Sequence, residues 1–337
     1  MQNKKVLLIA SAGGHLTQAL CACNHVDEIV LVTTKALVKD DKIKKIYTIW
    51  STQKNAFIHF VNIFYALYVL VKERPHTVFT TGGPIVLPFA LVCKFLPLRF
   101  VYLDTLSRVV ELSNTGQLIH KYKLYDEFMS QWEPVASEYN VDYAGKTFDL
   151  EGKANKVLTP LSPPESPLVL VTMGTNSYPF PRLIAALEKL DIYHDPNVRW
   201  FIQTGGFEVS VKPANGEVVD MVGKDKMDDL VKESSLVISH CGVGSINQML
   251  VYQKKVIFVP RLEQFGEFSD DHQLQIAKEL SNSNMTVIYP DELLPVYSLA
   301  ELIAIPRYDQ TIDITNHAFA AVIDKKLFVE QREDSYG

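Results

Sequence analysis

The chain has 337 residues, 47% hydrophobic and 21% charged, which supplies enough apolar material for two folded domains and excludes a largely disordered chain. A net charge of −6 excludes a general nucleic-acid binder. The charge is uneven: residues 1–153 hold 17 basic against 14 acidic residues and the remainder 16 against 25, so the N-terminal half is better suited to anionic groups.

In chain order, short apolar runs alternate with helical patterns, the signature of βα units around parallel sheets. Strands are predicted at 6–10, 28–33, 77–80, 100–103 and 127–131, and helices at 15–23, 56–73 and 85–95. Residues 1–5 are polar and the run at 6–10 is five residues long, which does not make a secretory signal. The most apolar helix, 57–71, contains His59 and Asn62 and is short for a membrane span; a core helix and a membrane-surface helix both fit it. Four prolines within 159–167 mark an interdomain linker over 156–167. A second α/β series follows, with strands at 168–172, 199–203, 218–222, 236–239, 256–259 and 286–289. Domains are therefore expected at 1–155 and 168–314. A helix at about 315–331 is expected to return to the first domain, and residues 333–337 are expected to be disordered. The four cysteines, Cys21, Cys23, Cys93 and Cys241, read as reduced thiols, and no His/Cys cluster has zinc spacing, so no metal is expected.

The chemistry-bearing motifs all follow apolar strands. Ser11-Ala12-Gly13-Gly14-His15 and Thr80-Thr81-Gly82-Gly83-Pro84 lie in the first half. The first reads either as a tight turn or as a backbone approach to an oxygen-rich ligand, the second either as a simple turn or as a wall of a ligand site. In the second half, Thr172-Met173-Gly174-Thr175-Asn176 and Gln203-Thr204-Gly205-Gly206 end neighbouring strands. Ser239-His240-Cys241-Gly242-Val243-Gly244-Ser245 runs from a buried strand into a helix, whose first amides and dipole suit diphosphate oxygens. Gln248, one turn on, is placed for ribose hydroxyls. The run from Pro260 to Gln273, which includes Arg261, Glu267, Asp271 and His272, offers carboxylates and amides for a sugar, or is a solvated loop.

These motifs, together with Tyr102-Leu103-Asp104-Thr105-Leu106-Ser107-Arg108 and Phe265-Gly266-Glu267, resemble those of the two-part glycosyltransferases of bacterial capsule and exopolysaccharide synthesis. They are also similar to the two-subunit enzyme that adds the second N-acetylglucosamine in the dolichol pathway and, more distantly, to the enzyme that forms lipid II. Here the two parts look fused. The resemblance covers residues 5–280. It implies the GT-B fold, an α/β class with two Rossmann-like domains facing across a cleft. It further implies an inverting, metal- and cofactor-independent transfer of a hexosyl unit (galactose, glucuronic acid or N-acetylglucosamine) from a UDP-sugar to a polyprenyl-diphosphate-linked glycan, giving a β-linkage. By resemblance, Gly174, Thr175, Gly205, His240, Gly242, Gly244, Ser245, Gln248, Glu267, Asp271, His272 and Gln273 bind the donor. Gln248 stands where relatives carry Glu or Asp. Gly13, Gly14, Gly82, Gly83 and Arg108 bind the acceptor. The expected location is the inner face of the plasma membrane, held by apolar surfaces near 57–71 or 84–98 with Lys94 and Arg99; a homo-oligomer stays open.

Transfer needs a base for the acceptor hydroxyl. His15 is the first choice, its residue type titrating near neutrality, although it also reads as a loop-orienting residue. Asp104 and Glu267 are the other candidates. Arg261 is a candidate partner for a glucuronate carboxylate. The competing readings are a UDP-sugar 2-epimerase of related fold and a non-catalytic sugar-nucleotide sensor.

Overall fold

In the computed structural model, the described residues are 5–34, 40–50, 56–148, 166–175, 178–283, 285–290 and 317–328. The expected linker falls outside them except for Ser166 and Pro167, as do Asn176 and residues 333–337. The chain forms two compact units, one from residues up to 148 together with those from 315 on, the other from the residues between.

The first unit is built on a seven-stranded parallel sheet: β1 (Lys5–Ile9), β2 (Glu28–Thr33), β3 (Ile43–Thr48), β4 (Thr77–Thr80), β5 (Arg99–Leu103), β6 (Glu127–Ser130) and β7 (Asp142–Tyr143). The spatial order is β3-β2-β1-β4-β5-β6-β7. Its helices are α1 (Gly14–Ala22), α2 (Ala56–Glu73), α3 (Leu87–Cys93), α4 (Asn114–Lys121) and α5 (Glu133–Tyr139). The central strands are almost wholly buried, as parallel strands covered on both faces must be. Edge strand β3 escaped prediction because its sequence, IKKIYT, has no apolar run; Lys44 and Lys45 blunt the edge.

The second unit holds β8 (Leu168–Thr172), β9 (Arg199–Gln203), β10 (Gly216–Val219), β11 (Leu236–His240) and β12 (Val256–Val259) in the order β10-β9-β8-β11-β12. All pairings are parallel. Its helices are α6 (Pro181–Leu187), α7 (Lys224–Glu233), α8 (Val243–Val251) and α9 (His272–Asn282). The strand expected at 286–289 contributes a single bridge, Val287 to Phe258.

The last helix, α10 (His317–Leu327), belongs to the first unit. Phe319, Ile323 and Leu327 are buried in one cluster with Val6, Leu8 and Ala19. Thr77 Oγ1 donates to the Leu327 carbonyl at 2.8 Å, and Lys326 pairs with Glu127 and Asp142. A distant chain segment thus closes one face of the first sheet.

Helix α2 has two faces. Asn62, Ala66, Val69 and Leu70 are buried. Phe57, Phe60, Phe64, Leu67, Tyr68 and Val71, at helical spacing, are exposed, with Phe64 at 61%. At its end, buried Glu73 accepts from Lys5, Lys45 and Tyr47, tying the helix to β1 and β3. Burial alone would raise the Glu73 pKa, but the hydrogen bonds from Lys45, Lys5 and Tyr47 outweigh it and bring it down to about 2. All four cysteines are free thiols, and burial pushes that of Cys21 up to about 11.

Because Ile323 is fully buried in that shared core, Ile323→Ala should destabilise the first unit by about 2–5 kcal/mol. Denaturant unfolding followed by a probe in that unit reads this; an unchanged midpoint would show that α10 does not hold the core.

Candidate functional site

Each sheet has one place where strand order reverses and the flanking connections diverge, leaving a crevice at the carboxyl ends. In the first sheet it lies between β1 and β4, whose ends are level, Ile9 opposite Thr80. In the second it lies between β8 and β11, with Thr172 opposite Ser239. The four main glycine motifs occupy the ends of these four strands.

In the first unit the motifs interlock. His15, in the first turn of α1, places Nδ1 2.9 Å from the Thr81 carbonyl, and Thr81 Oγ1 donates to the His15 carbonyl at 2.7 Å. A carbonyl only accepts, so Nδ1 carries the proton and Nε2 is the basic nitrogen of the ring. Gly82 and Gly83, at φ 96° and 97°, lie against the ring; a Cβ at either would stand 3.6 Å from it, and 2.8 Å from Tyr102 Oη or Ser11 Oγ respectively. Gly13, φ 101°, precedes α1 with no side-chain cap, and Gly14 opens the helix.

Asp104 corrects one expectation. It is buried, and its carboxylate accepts from the Ser113 amide at 2.8 Å, the Ser113 hydroxyl at 2.6 Å and Tyr102 Oη at 3.1 Å. Burial raises its pKa against the opposing pull of the Ser113 hydrogen bonds. An enclosed, satisfied carboxyl organises the turn before α4 and is not a base for an incoming hydroxyl. Arg108 lies on the following loop, its Nη1 3.4 Å from Glu111. Sequence reading missed the scaffold beneath: Gln18 and Gln131, both buried, hydrogen-bond each other at 2.9 Å. Gln18 also donates to Thr105 and accepts from the Leu106 amide. The signal was an amide inside the apolar run Leu16–Ala22, one turn past His15.

In the second unit, Gly174 (φ 77°) follows β8, and its carbonyl accepts from Gln203 Nε2 at 3.0 Å. The His240 ring fills the space beside the turns: a Cβ on Gly174 or Gly242 would overlap it. Burial first, then the charge of Arg261, bring the His240 pKa down to about 3. Gly242 caps α8 without a side-chain hydrogen bond, so the amides of Val243, Gly244 and Ser245 look outward from the helix for partners. Thr175 is exposed, and Gly205, two residues beyond β9, donates its amide to the Asp220 carbonyl at 2.8 Å.

Several residues assigned to the donor are committed elsewhere. Gln248 donates to Asp228 on α7 at 2.8 Å, which puts a carboxylate beside the amide. Glu267 is fully buried, bound by Arg182 through two bonds of 3.0 and 2.9 Å, and accepts from the Leu262 amide. It is a loop anchor, not a base. Gln273 is buried and accepts from the Arg261 amide; Asp271 accepts from the Glu263 amide. His272 pairs with Asp270 and lies edge-on to Phe268. Arg261, fully buried, donates to the Met173 carbonyl at 2.9 Å, and so is not exposed to a sugar carboxylate. No motif marked Arg182 or Asp228.

Two parallel α/β units, each with glycine turns at its switch point, give this chain the GT-B fold. Residues 168–310 match the glycosyltransferase family 28 C-terminal domain, and residues 10–146 match the family described as oligosaccharide biosynthesis protein Alg14 like. The UDP-N-acetylglucosamine–N-acetylmuramyl-(pentapeptide) pyrophosphoryl-undecaprenol N-acetylglucosamine transferase of Thermosipho melanesiensis is 22% identical over 342 residues, covering 94% of this chain and 96% of its own. Among solved structures, Acinetobacter baumannii MurG superposes with a TM-score of 0.57 at 16% identity, over 95% of this chain and 99% of that one. The UDP-GlcNAc 2-epimerase of Neisseria meningitidis bound to UDP-GlcNAc gives 0.64 at 11% identity, over 96% and 99%.

The depressed His240 pKa carries a pH signature. Between about 3 and 6.5 the unfolded chain binds a proton on this residue that the folded chain does not, so the stability is full above about 6.5 and falls on acidification. From pH 7 to 5 the ring should cost about 2 kcal/mol. In urea unfolding of the second unit, His240→Asn should lose that part of the pH dependence; parallel wild-type and variant curves would contradict it.

Proposed function

We propose that the chain transfers a hexosyl unit from a UDP-sugar to a polyprenyl-diphosphate-linked glycan, with inversion to a β-linkage and without a metal ion, in bacterial surface-polysaccharide synthesis. The observation that carries this is the uncapped start of α8 at the switch point of the second unit. Three outward amides and a helix dipole are chemically suited to a departing diphosphate. The match to the family 28 C-terminal domain over this same region and the named activity of the Thermosipho relative support the donor and acceptor classes. That relative also makes UDP-N-acetylglucosamine the first donor to test. With Arg261 turned inward, glucuronate loses the contact that favoured it.

In this reading the first unit presents the acceptor. His15 Nε2 takes the hydroxyl proton, its tautomer set by Thr81, while Gly82 and Gly83 allow backbone to lie against the ring. Incubation with UDP-N-acetylglucosamine and a polyprenyl-diphosphate-glucose analogue should give transfer that persists in EDTA. His15→Ala should lower kcat by about 10²–10⁴ with UDP affinity retained. A folded His15→Ala protein with near-full turnover would remove His15 from this role. The better overlay on an epimerase keeps one rival alive, and the same incubation without acceptor tests it: an epimerised sugar nucleotide would favour that reaction instead.

The exposed face of α2 is assigned to the bilayer surface. Neighbouring α3 leads into Phe95, 85% exposed, and within 56–98 the sole carboxylate is Glu73, which is buried and paired. Lys72, Arg74 and Lys94 lie on the surface around these two helices. Apolar side chains rimmed by cations suit an anionic interface. No helix among the described residues is long and apolar enough to cross a membrane. Phe60→Glu/Phe64→Glu should weaken co-sedimentation with phosphatidylglycerol vesicles at least about tenfold. Turnover of a water-soluble acceptor should be spared; vesicle binding equal to wild type would refute the assignment.

A further inference from the structure

Arg261 lies two residues beyond β12 and is fully buried. Its Nη2 donates to the carbonyl of Met173, just past β8, at 2.9 Å. Because β11 stands between β8 and β12, the guanidinium crosses the carboxyl end of β11, where the turn into α8 begins. The His240 ring shares this space, packed against Gly174 and Gly242.

Two of the three guanidinium nitrogens, Nε and Nη1, have no hydrogen-bond partner among the described residues. The carboxylate whose charge acts on Arg261 is Glu267. That carboxylate is already clasped by Arg182 at 3.0 and 2.9 Å, and Arg182 in turn lies 4.3 Å over the Phe265 ring. Two guanidinium groups therefore draw on one carboxylate, and Arg261 does not have Glu267 to itself. Burial draws the Arg261 pKa down to about 10, which still leaves it charged at neutral pH. A buried charge without a full counter-charge is costly to maintain, and an anion bound nearby offsets that cost.

We infer that the Arg261–Glu267–Arg182 cluster is a fixed counter-charge for the diphosphate bound at the start of α8, acting through the Met173–Gly174 turn without touching the ligand. The inference rests on the UDP-sugar reading above. Arg261 is on this account a positioning and electrostatic residue. Its charge meets the ligand's phosphates through a low-dielectric layer, where such interactions are strongest.

The consequence is selective for charge. Binding of UDP and of uridine to the full chain is compared, by calorimetry for UDP and saturation-transfer NMR for uridine, with thermal melting to confirm folding. Arg261→Gln should weaken UDP about tenfold relative to uridine, and Arg261→Lys should hold the ratio within about threefold of wild type. Arg182→Gln, on a different helix, should lower the ratio in the same sense, because Glu267 then neutralises Arg261. Glu267→Gln should raise it. If Arg261→Gln fails to fold, the Arg182 and Glu267 variants decide the matter through their opposite signs. Equal loss of UDP and uridine, or an unmoved ratio in both of those variants, would overturn the inference. A wild-type chain that binds no UDP at all would instead remove the donor reading, and the inference with it.

Discussion

The constraint on which this molecule depends is steric and sits where parallel strands end. At a reversal of strand order, neighbouring connections leave toward opposite faces, and the backbone at the carboxyl edge is left open. Here that edge is crowded with the protein's own rings: His15 against Gly82 and Gly83, His240 against Gly174 and Gly242. Glycine is required at 174 and 242 because the His240 ring already occupies the volume of a Cβ, and at 82 and 83 because φ is positive and Tyr102 Oη and Ser11 Oγ stand 2.8 Å from where a Cβ would lie. The result is a histidine of fixed orientation in each unit, one accessible and held by a carbonyl, the other buried and kept neutral.

Beneath both edges lie polar clusters that an apolar core would not need. In the first unit Gln18, Gln131, Asp104 and Ser113 satisfy one another and the loop amides of Leu106 and Thr147. In the second, Glu267, Arg182, Arg261 and Gln273 tie the loop after β12 to α6, α9 and the turn after β8. The hydrogen bonds of each network hold its loops to one geometry. Rigid loops at a strand edge are what a site for a flexible sugar nucleotide requires.

Most strands were legible because parallel strands covered on both faces are continuous apolar runs: 28–33, 77–80, 168–172, 199–203 and 256–259 match β2, β4, β8, β9 and β12 to the residue. The edge strand β3 was not, because an edge is protected by lysines that erase the pattern. The glycine turns of the site were legible for the same reason as the strands, since they punctuate them. The side-chain roles were not. Glu267 and Gln273 sit in a motif that reads as sugar-binding, yet their atoms are spent on Arg182 and on the Arg261 amide. Arg182, which decides what Glu267 can do, follows an ordinary proline at the start of α6 and lies 85 residues away in sequence. Periodicity reports which face is buried; it is silent on which buried polar groups meet.

The two switch points share their architecture but differ in the charge that lies behind them. Behind the Gly82–Gly83 turn stands Tyr102, and behind it the carboxyl group of Asp104. Behind the Gly174 turn stands Arg261. An ionised carboxylate disfavours a nearby anion, whereas an incompletely neutralised guanidinium favours one. The net charge of each half runs the other way, since the N-terminal half is the more basic. Surface charge is screened within about 10 Å in salt, and buried charge far less. Under the proposed function, the buried charge behind each turn therefore weighs more on a diphosphate held there than the surface total does, and the surface cations around α2 and α3 are those that would meet an anionic bilayer.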